Sequence, residues 1–228
     1  MRAAQLSVLK TLACAWLLFL FAMLFFSILN IDFTITDFIY HLQGNSWAWK
    51  DTLITQEILH KGGKWLSLMM GMAILFLLVL STVTTHLKSY RTPLLYLFSA
   101  TLLSTLLVAT IKQLVSMECP WDLISYGGEQ DFIGLLDIRP PAMPASACFP
   151  AGHASAGYTW IALYFFFAAT RPQWRFKGLA LGLGLGLTFG LTQQLRGAHF
   201  LSHDLWSAMI CWTVSFVLAK YLLTPRVH

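Results

Sequence analysis

The chain has 228 residues, of which 57% are hydrophobic and 11% charged, and its mean hydropathy is +0.65. Soluble domains carry about 25% charged residues, so the composition excludes an ordinary water-soluble globule and points to a chain that lives in lipid. The net charge of +5 does not indicate a nucleic-acid partner, because the basic residues lie in short clusters between apolar runs, as membrane anchors do.

Six apolar stretches follow one another: Thr11–Leu29, Trp65–Val83, Leu94–Val115, Ala154–Ala169, Gly178–Leu195 and Leu205–Leu223. Helices are the only open-chain way to satisfy backbone groups in hydrocarbon, so the expected fold is all-α. It is a polytopic six-transmembrane-helix bundle forming one integral membrane domain over residues 1–228. The basic start of Met1–Leu29 is that of a signal peptide, but the apolar stretch is long and no A-x-A pattern follows it, which predicts a retained first span. Between the first two spans, Asp32–Lys64 mixes Phe33, Phe38, Tyr40, Trp47 and Trp49 with charges and His60. That pattern suits a helix lying in the membrane interface, and equally a simple amphipathic connector. In the fifth stretch Gly182, Gly186 and Gly190 recur every four residues, a stripe that lets a neighbouring helix approach closely. Cys14 and Cys211 fall within apolar segments as small packing residues.

Sidedness follows from the loops. One face carries Arg2 and Lys10, Lys88 and Arg91, Arg171, Arg175 and Lys177, then Lys220 and Arg226, while all 10 acidic residues lie on the other. Basic loops stay in the cytoplasm, so both termini are expected inside and the acidic face outside.

Three polar clusters meet at that outer face. Lys112 ends the third span and leads to Cys119-Pro120-Trp121-Asp122. Pro150-Ala151-Gly152-His153 opens the fourth. Arg196-Gly197-Ala198-His199 and Ser202-His203-Asp204 join the fifth to the sixth. Cations and histidines gathered beside a bilayer are costly unless they do something, and their charge suits an anion. The Pro150–His153 turn can aim successive N–H groups of Ala151 and Gly152 at one point as a helix begins, and His153 exchanges a proton near neutral pH.

These clusters resemble the tripartite motif of the type 2 phosphatidic acid phosphatase superfamily: K-x6-R-P, P-S-G-H and S-R-x5-H-x3-D. Lys112 with Cys119-Pro120 is similar to the first part, Pro150–His153 to the second, and the segment ending at His199 to the third, so the motif region runs over residues 112–204. The resemblance implies a membrane lipid phosphatase that needs no metal or other cofactor. His199 is then the nucleophile, forming a phosphohistidine. His153 is the general acid and then the base for water, and Lys112 with the arginines holds the non-bridging oxygens.

The chain departs from the pattern at four places. Cys119 stands for the first motif's arginine, Ala151 for the serine, Gln193 for the third motif's arginine, and His203 for the aspartate, with Asp204 one residue later. Arg196, one turn beyond Gln193, and Arg139 are the candidate replacements for phosphate binding. Asp204 or His203 is the candidate to orient His199. Cys119 and Cys148 border the first two motifs on the oxidising side and are expected to form a disulfide that fixes the 120–147 loop.

The expected activity is hydrolysis of a lipid phosphate at the periplasmic face of a bacterial inner membrane. Polyprenyl pyrophosphate, phosphatidylglycerophosphate, phosphatidic acid and lipid A phosphate are the candidate substrates. A lipid-to-lipid phosphotransferase would need the same residues, and a silent lipid-phosphate binding or transport protein would keep the anion site alone. A metal site on His199 and His203 would require Glu, not Phe200, after the first histidine to fit the metalloprotease pattern.

Overall fold

The computed structural model describes residues 2–135, 137–141 and 143–223, with side chains from Leu6 onward. Arg226, counted above among the basic residues, lies outside the described residues. The chain is all-helical: α1 (Arg2–Ile28), α2 (Ile31–Leu42), a π-helical segment Leu53–Gly62 running directly into α3 (Gly63–Val83), α4 (Arg91–Leu114), α5 (Gly152–Tyr158), α6 (Ala162–Thr170), α7 (Arg175–Leu195) and α8 (Leu201–Leu222). Among the described residues there is no strand, only isolated bridges at Met117–Ala147 and Leu123–Gln130 that pin the long loop after α4.

Four helical stretches are long and apolar enough to cross a membrane: Leu6–Ile28, Leu53–Val83, Lys88–Leu114 and Leu201–Leu222. The two other expected spans have a different character. The fourth is divided by a 3-10 turn at Thr159–Ile161 into α5 and α6, so neither piece is long. The fifth is the continuous α7, whose glycines dilute its hydropathy.

The connector expected over Asp32–Lys64 is not one element. α2 occupies its start, and the second long helix begins at Leu53 rather than at Trp65. Thr52 caps it, its hydroxyl accepting from the Thr55 N–H, as polar caps do at a helix start. Glu57, Lys61 and Lys64 interrupt the apolar run, which is why hydropathy alone starts the helix twelve residues late.

α7 packs closely on α5, on the 3-10 turn and on α6, and α4 packs on α8 and α3. The glycine stripe does what its spacing predicts. A Cβ at Gly182 would meet the Trp160–Ile161 backbone, and one at Gly186 would meet the Tyr158 ring. The main apolar core gathers around Tyr96, Leu97, Ala100 and Trp160, about four helical turns along α4 from Lys112. The Tyr96 hydroxyl donates to the Ser215 carbonyl at 3.1 Å and so joins α4 to α8. α1 stands apart. It touches α8 through Trp16 and Phe19 against Trp206, yet its apolar window has no buried share and exposes Leu17, Phe21, Leu24 and Phe25. A surface of that kind is suited to hydrocarbon.

At the other end of the bundle, α2 and the loop after α4 close over the start of α8. Phe33, Tyr40 and Trp47 pack on Leu123, Tyr126 and Phe200. Asp32 accepts from the Ser202 N–H at 2.9 Å, Tyr126 donates to Asp37 at 2.6 Å, and Gln43 donates to the Leu195 carbonyl at 2.9 Å. This rim positions the three motif segments.

Candidate active site

The motif segments are laced together by backbone contacts. The expected disulfide is present: Cys119 and Cys148, with Cα atoms 5.3 Å apart, join the first segment to the second. The Trp121 N–H donates to the Gly197 carbonyl at 2.9 Å, joining the first to the third. The Ala151 N–H donates to the His203 carbonyl at 3.2 Å, and the Ser207 hydroxyl donates to the Ala151 carbonyl at 2.9 Å, joining the second to the third. Gly197 makes the turn between α7 and α8 with φ +74°, and its bare Cα faces the Trp47 indole, where any Cβ would collide. Glycine is therefore required there on both conformational and steric grounds.

Lys112 reaches from the last turn of α4 over the start of α5. Its Nζ lies 3.7 Å from the position a Gly152 Cβ would occupy, an ordinary van der Waals distance that sets the ammonium group beside the start of α5. His153, one residue on, stacks on Phe189 with ring centroids 4.8 Å apart, and its Nε2 lies 3.3 Å from the Leu59 carbonyl. His199 is buried in the turn before α8 at 6% exposure, with Nδ1 buried and unpartnered. Burial first, and then the positive charge of Lys112, hold its imidazole well below the usual histidine range, so it is neutral at pH 7. Lys112 thus lies beside the residue before His153, and the charges of both Lys112 and His153 act on the His199 ring.

The remaining expected residues divide. Arg196, at the C-terminus of α7, joins the cluster. Its Nη1 donates to Gln193 Oε1 at 3.0 Å and its Nε to the Lys50 carbonyl at 2.7 Å. Arg139 has other partners. Its guanidinium pairs with the fully buried Glu118 at 2.5 Å and donates to the carbonyls of Ser116 and Pro144. A buried carboxylate requires a partner of this kind, and Arg139 is therefore engaged in holding the loop.

Ala151 contributes no free N–H, because its own donates to His203, and its methyl packs in an apolar cluster with Ala154, Tyr158 and Cys211. The cradle expected at Ala151 and Gly152 accordingly begins at Gly152.

Neither candidate orienter makes a hydrogen bond with His199. Asp204 turns toward α7, where its Oδ2 accepts from Gln194 at 2.5 Å beside Gly190. The His203 ring is 5.9 Å from that of His199 and sits edge-on to Phe149 and Phe200, both its nitrogens buried and unpartnered. The Cys148 backbone oxygen lies beside both imidazoles.

One residue enters the cluster that its sequence pattern did not announce. His60, from the π-helical segment, lies 4.6 Å from the His153 ring and 2.5 Å, Nδ1 to Nε2, from Gln193. Its only signal in the sequence was a histidine among charges just before an apolar run. A cavity of about 500 Å³ opens beside it, lined by Gln56, His60, Lys61, Lys64, Trp65 and Leu68. Among the described residues, the one grouping of metal-ligand side chains is Cys119, Asp122 and Cys148, and the disulfide engages both of its sulfurs.

The arrangement offers a half-buried lysine, an arginine with Nη2 uncommitted among the described residues, and two imidazoles of different exposure. Such a set can bind a tetrahedral anion, attack it and move a proton. No curated protein and no solved structure matches the chain. The PAP2 superfamily model matches residues 93–226, a stretch that runs from α4 through α8 and contains Lys112, His153 and His199, and the chain belongs to the PAP2 superfamily, whose members are phosphatases.

Proposed function

We propose that this protein is a metal-independent membrane lipid phosphatase that works through a phosphohistidine on His199. The observation that carries the reading is a buried His199 with the charges of Lys112 and His153 close enough to act on its ring, and with Lys112 beside the residue that precedes His153. A neutral imidazole is the nucleophilic form, and burial keeps it so without a separate base. In the forward step His199 attacks phosphorus, the phosphorus–oxygen bond to the lipid breaks, and His153 delivers a proton to the departing oxygen. In the second step His153 takes a proton from water, whose oxygen attacks phosphorus and releases phosphate and free His199. Lys112 and Arg196 neutralise the non-bridging oxygens as charge spreads over them.

The six apolar stretches, with α5–α6 and α7 as the fourth and fifth, make up the six-span bundle of this reading, and α2 is its interfacial helix. The segregation of basic from acidic loops supports cytoplasmic termini and a periplasmic site. The cavity beside His60 combines two lysines with Trp65 and Leu68, which suits a lipid phosphate approaching from the bilayer with its headgroup toward the site. Phosphate release by the detergent-purified protein in EDTA, from polyprenyl pyrophosphate, phosphatidylglycerophosphate, phosphatidic acid and lipid A phosphate in turn, tests the reading. Release that survives the chelator supports it, and release that requires added metal overturns it. Transfer of phosphate to a second lipid in preference to water would instead identify a phosphotransferase.

A further inference from the structure

His60 stands outside the family motif and outside the region the family model matches, yet it touches the site on two sides. Its ring lies 4.6 Å from that of His153, and its Nδ1 lies 2.5 Å from the carboxamide nitrogen of Gln193. Gln193 occupies the position where the motif carries an arginine.

The direction of these hydrogen bonds can be worked out from chemistry alone. The arginine side chain only donates. Gln193 must therefore present its oxygen to Arg196 Nη1, 3.0 Å away. Its NH2 is then the group that faces His60, and His60 Nδ1 must accept. The chain runs Arg196 to Gln193 Oε1, then Gln193 Nε2 to His60 Nδ1, and it fixes the carboxamide in one of its two orientations. Arg196 is anchored on its other side by the Lys50 carbonyl at 2.7 Å. The same π-helical segment also supplies the Leu59 carbonyl, 3.3 Å from His153 Nε2. π-Helical turns are rare and gather at functional sites, and here the segment presents a ring nitrogen and a carbonyl to two different site residues.

We propose that His60 is a positioning residue: by accepting from Gln193 it aims the Arg196 guanidinium at the bound phosphoryl group, so that Gln193, Arg196 and His60 together do what the missing motif arginine would do alone. The proposal rests on the phosphate-binding part of the function above. It explains why a glutamine serves at that position, since glutamine can accept from an arginine and donate to an imidazole at the same time. It also gives the N-terminal helices a part in the chemistry.

The test is a double-mutant cycle on full-length protein in detergent, read by the affinity for orthovanadate and, in parallel, by kcat/KM for phosphate release. His60→Ala removes the acceptor and should weaken vanadate binding about tenfold, the scale of a misaimed hydrogen bond from the Arg196 guanidinium to the anion. Gln193→Ala should do the same, and the double variant should be no worse than either single one, because the two act through one chain. His60→Asn places an amide oxygen near the position of Nδ1 and should restore binding to within about threefold. That rescue separates positioning from mere support of the fold. Equal affinity in wild type and His60→Ala, multiplicative losses in the double variant, or an Asn variant as weak as Ala would each overturn the proposal, as would a wild type that does not bind vanadate. Absence of turnover in the wild type would sink the phosphatase reading, while the vanadate affinities would still decide the role of His60.

Discussion

The two parts of the chain serve the site in different ways. Residues 93–226, matched by the family model, supply Lys112, His153 and His199 from α4, α5 and the turn before α8. The first 92 residues supply partners for His153 and for two side chains beside it: the Leu59 carbonyl for His153, the Lys50 carbonyl for Arg196, and His60 for Gln193. On the proposed function, residues 93–226 carry the reactive groups, while the first 92 residues hold the groups beside them in place. On the proposal made for His60, a family motif can lose an arginine and keep an oriented cation when the support comes from elsewhere in the fold.

Substitutions in the two parts should accordingly differ in kind. The largest effect is expected from His199→Ala, which removes the proposed nucleophile and should lower kcat by about 10³-fold or more, with lipid binding retained. A fall of only tenfold would move the nucleophile elsewhere. Arg139→Ala should leave Glu118 as an unpaired buried charge and cost about 3–5 kcal/mol of stability, seen as a lowered Tm or a loss of folded yield. Vanadate affinity of the folded fraction should stay at the wild-type value, and its loss would return Arg139 to the phosphate site. Lys112→Ala should cost about 10²-fold in kcat/KM, the scale of one lost oxyanion donor. The smallest effect belongs to the N-terminal rim. Asp32→Asn weakens the hydrogen bond to the Ser202 N–H and should lower stability by about 1 kcal/mol while leaving kcat within about twofold. A large loss of kcat there would erase the distinction between reactive and supporting parts.

The acid limb of the pH–rate profile offers a further check. Because burial and Lys112 hold His199 well below the ordinary histidine range, its own protonation should not reduce kcat/KM until the pH is well below 6.5. Neutralising the cation by Lys112→Met should move that inflection upward, since the second-largest cause of the depression is gone. An unchanged inflection would mean that Lys112 does not act on His199.

Much of this was legible in the sequence, for identifiable reasons. Apolar runs and loop charges follow from the solvent the helices occupy, so helix positions could be read to within a few residues for α4, α7 and α8. The glycine period in α7 and the Cys119–Cys148 pairing were also readable, because spacing and compartment constrain both. Other features were not. Glu57, Lys61 and Lys64 hid the early start of the second long helix, and with it His60, since an average over a window cannot tell a polar helical face from a loop. Arg139 was available as a phosphate ligand on paper because nothing local says that Glu118 is fully buried and needs a partner. Motif spacing left His203 and Asp204 as alternatives for orienting His199. In the fold Asp204 faces Gln194 and His203 lies between two phenylalanine rings, which depends on how α8 is rotated and on nothing in its sequence period.

The central claim, that His199 carries the phosphoryl group, is tested most directly by trapping the intermediate. The purified protein is mixed with a radiolabelled lipid phosphate, quenched in base during turnover and digested. The account predicts an acid-labile, base-stable phosphate on the peptide that contains His199, present during turnover and absent from His199→Ala. Label on a different residue, or phosphate release at the wild-type rate with no labelled histidine at any time point, would contradict it.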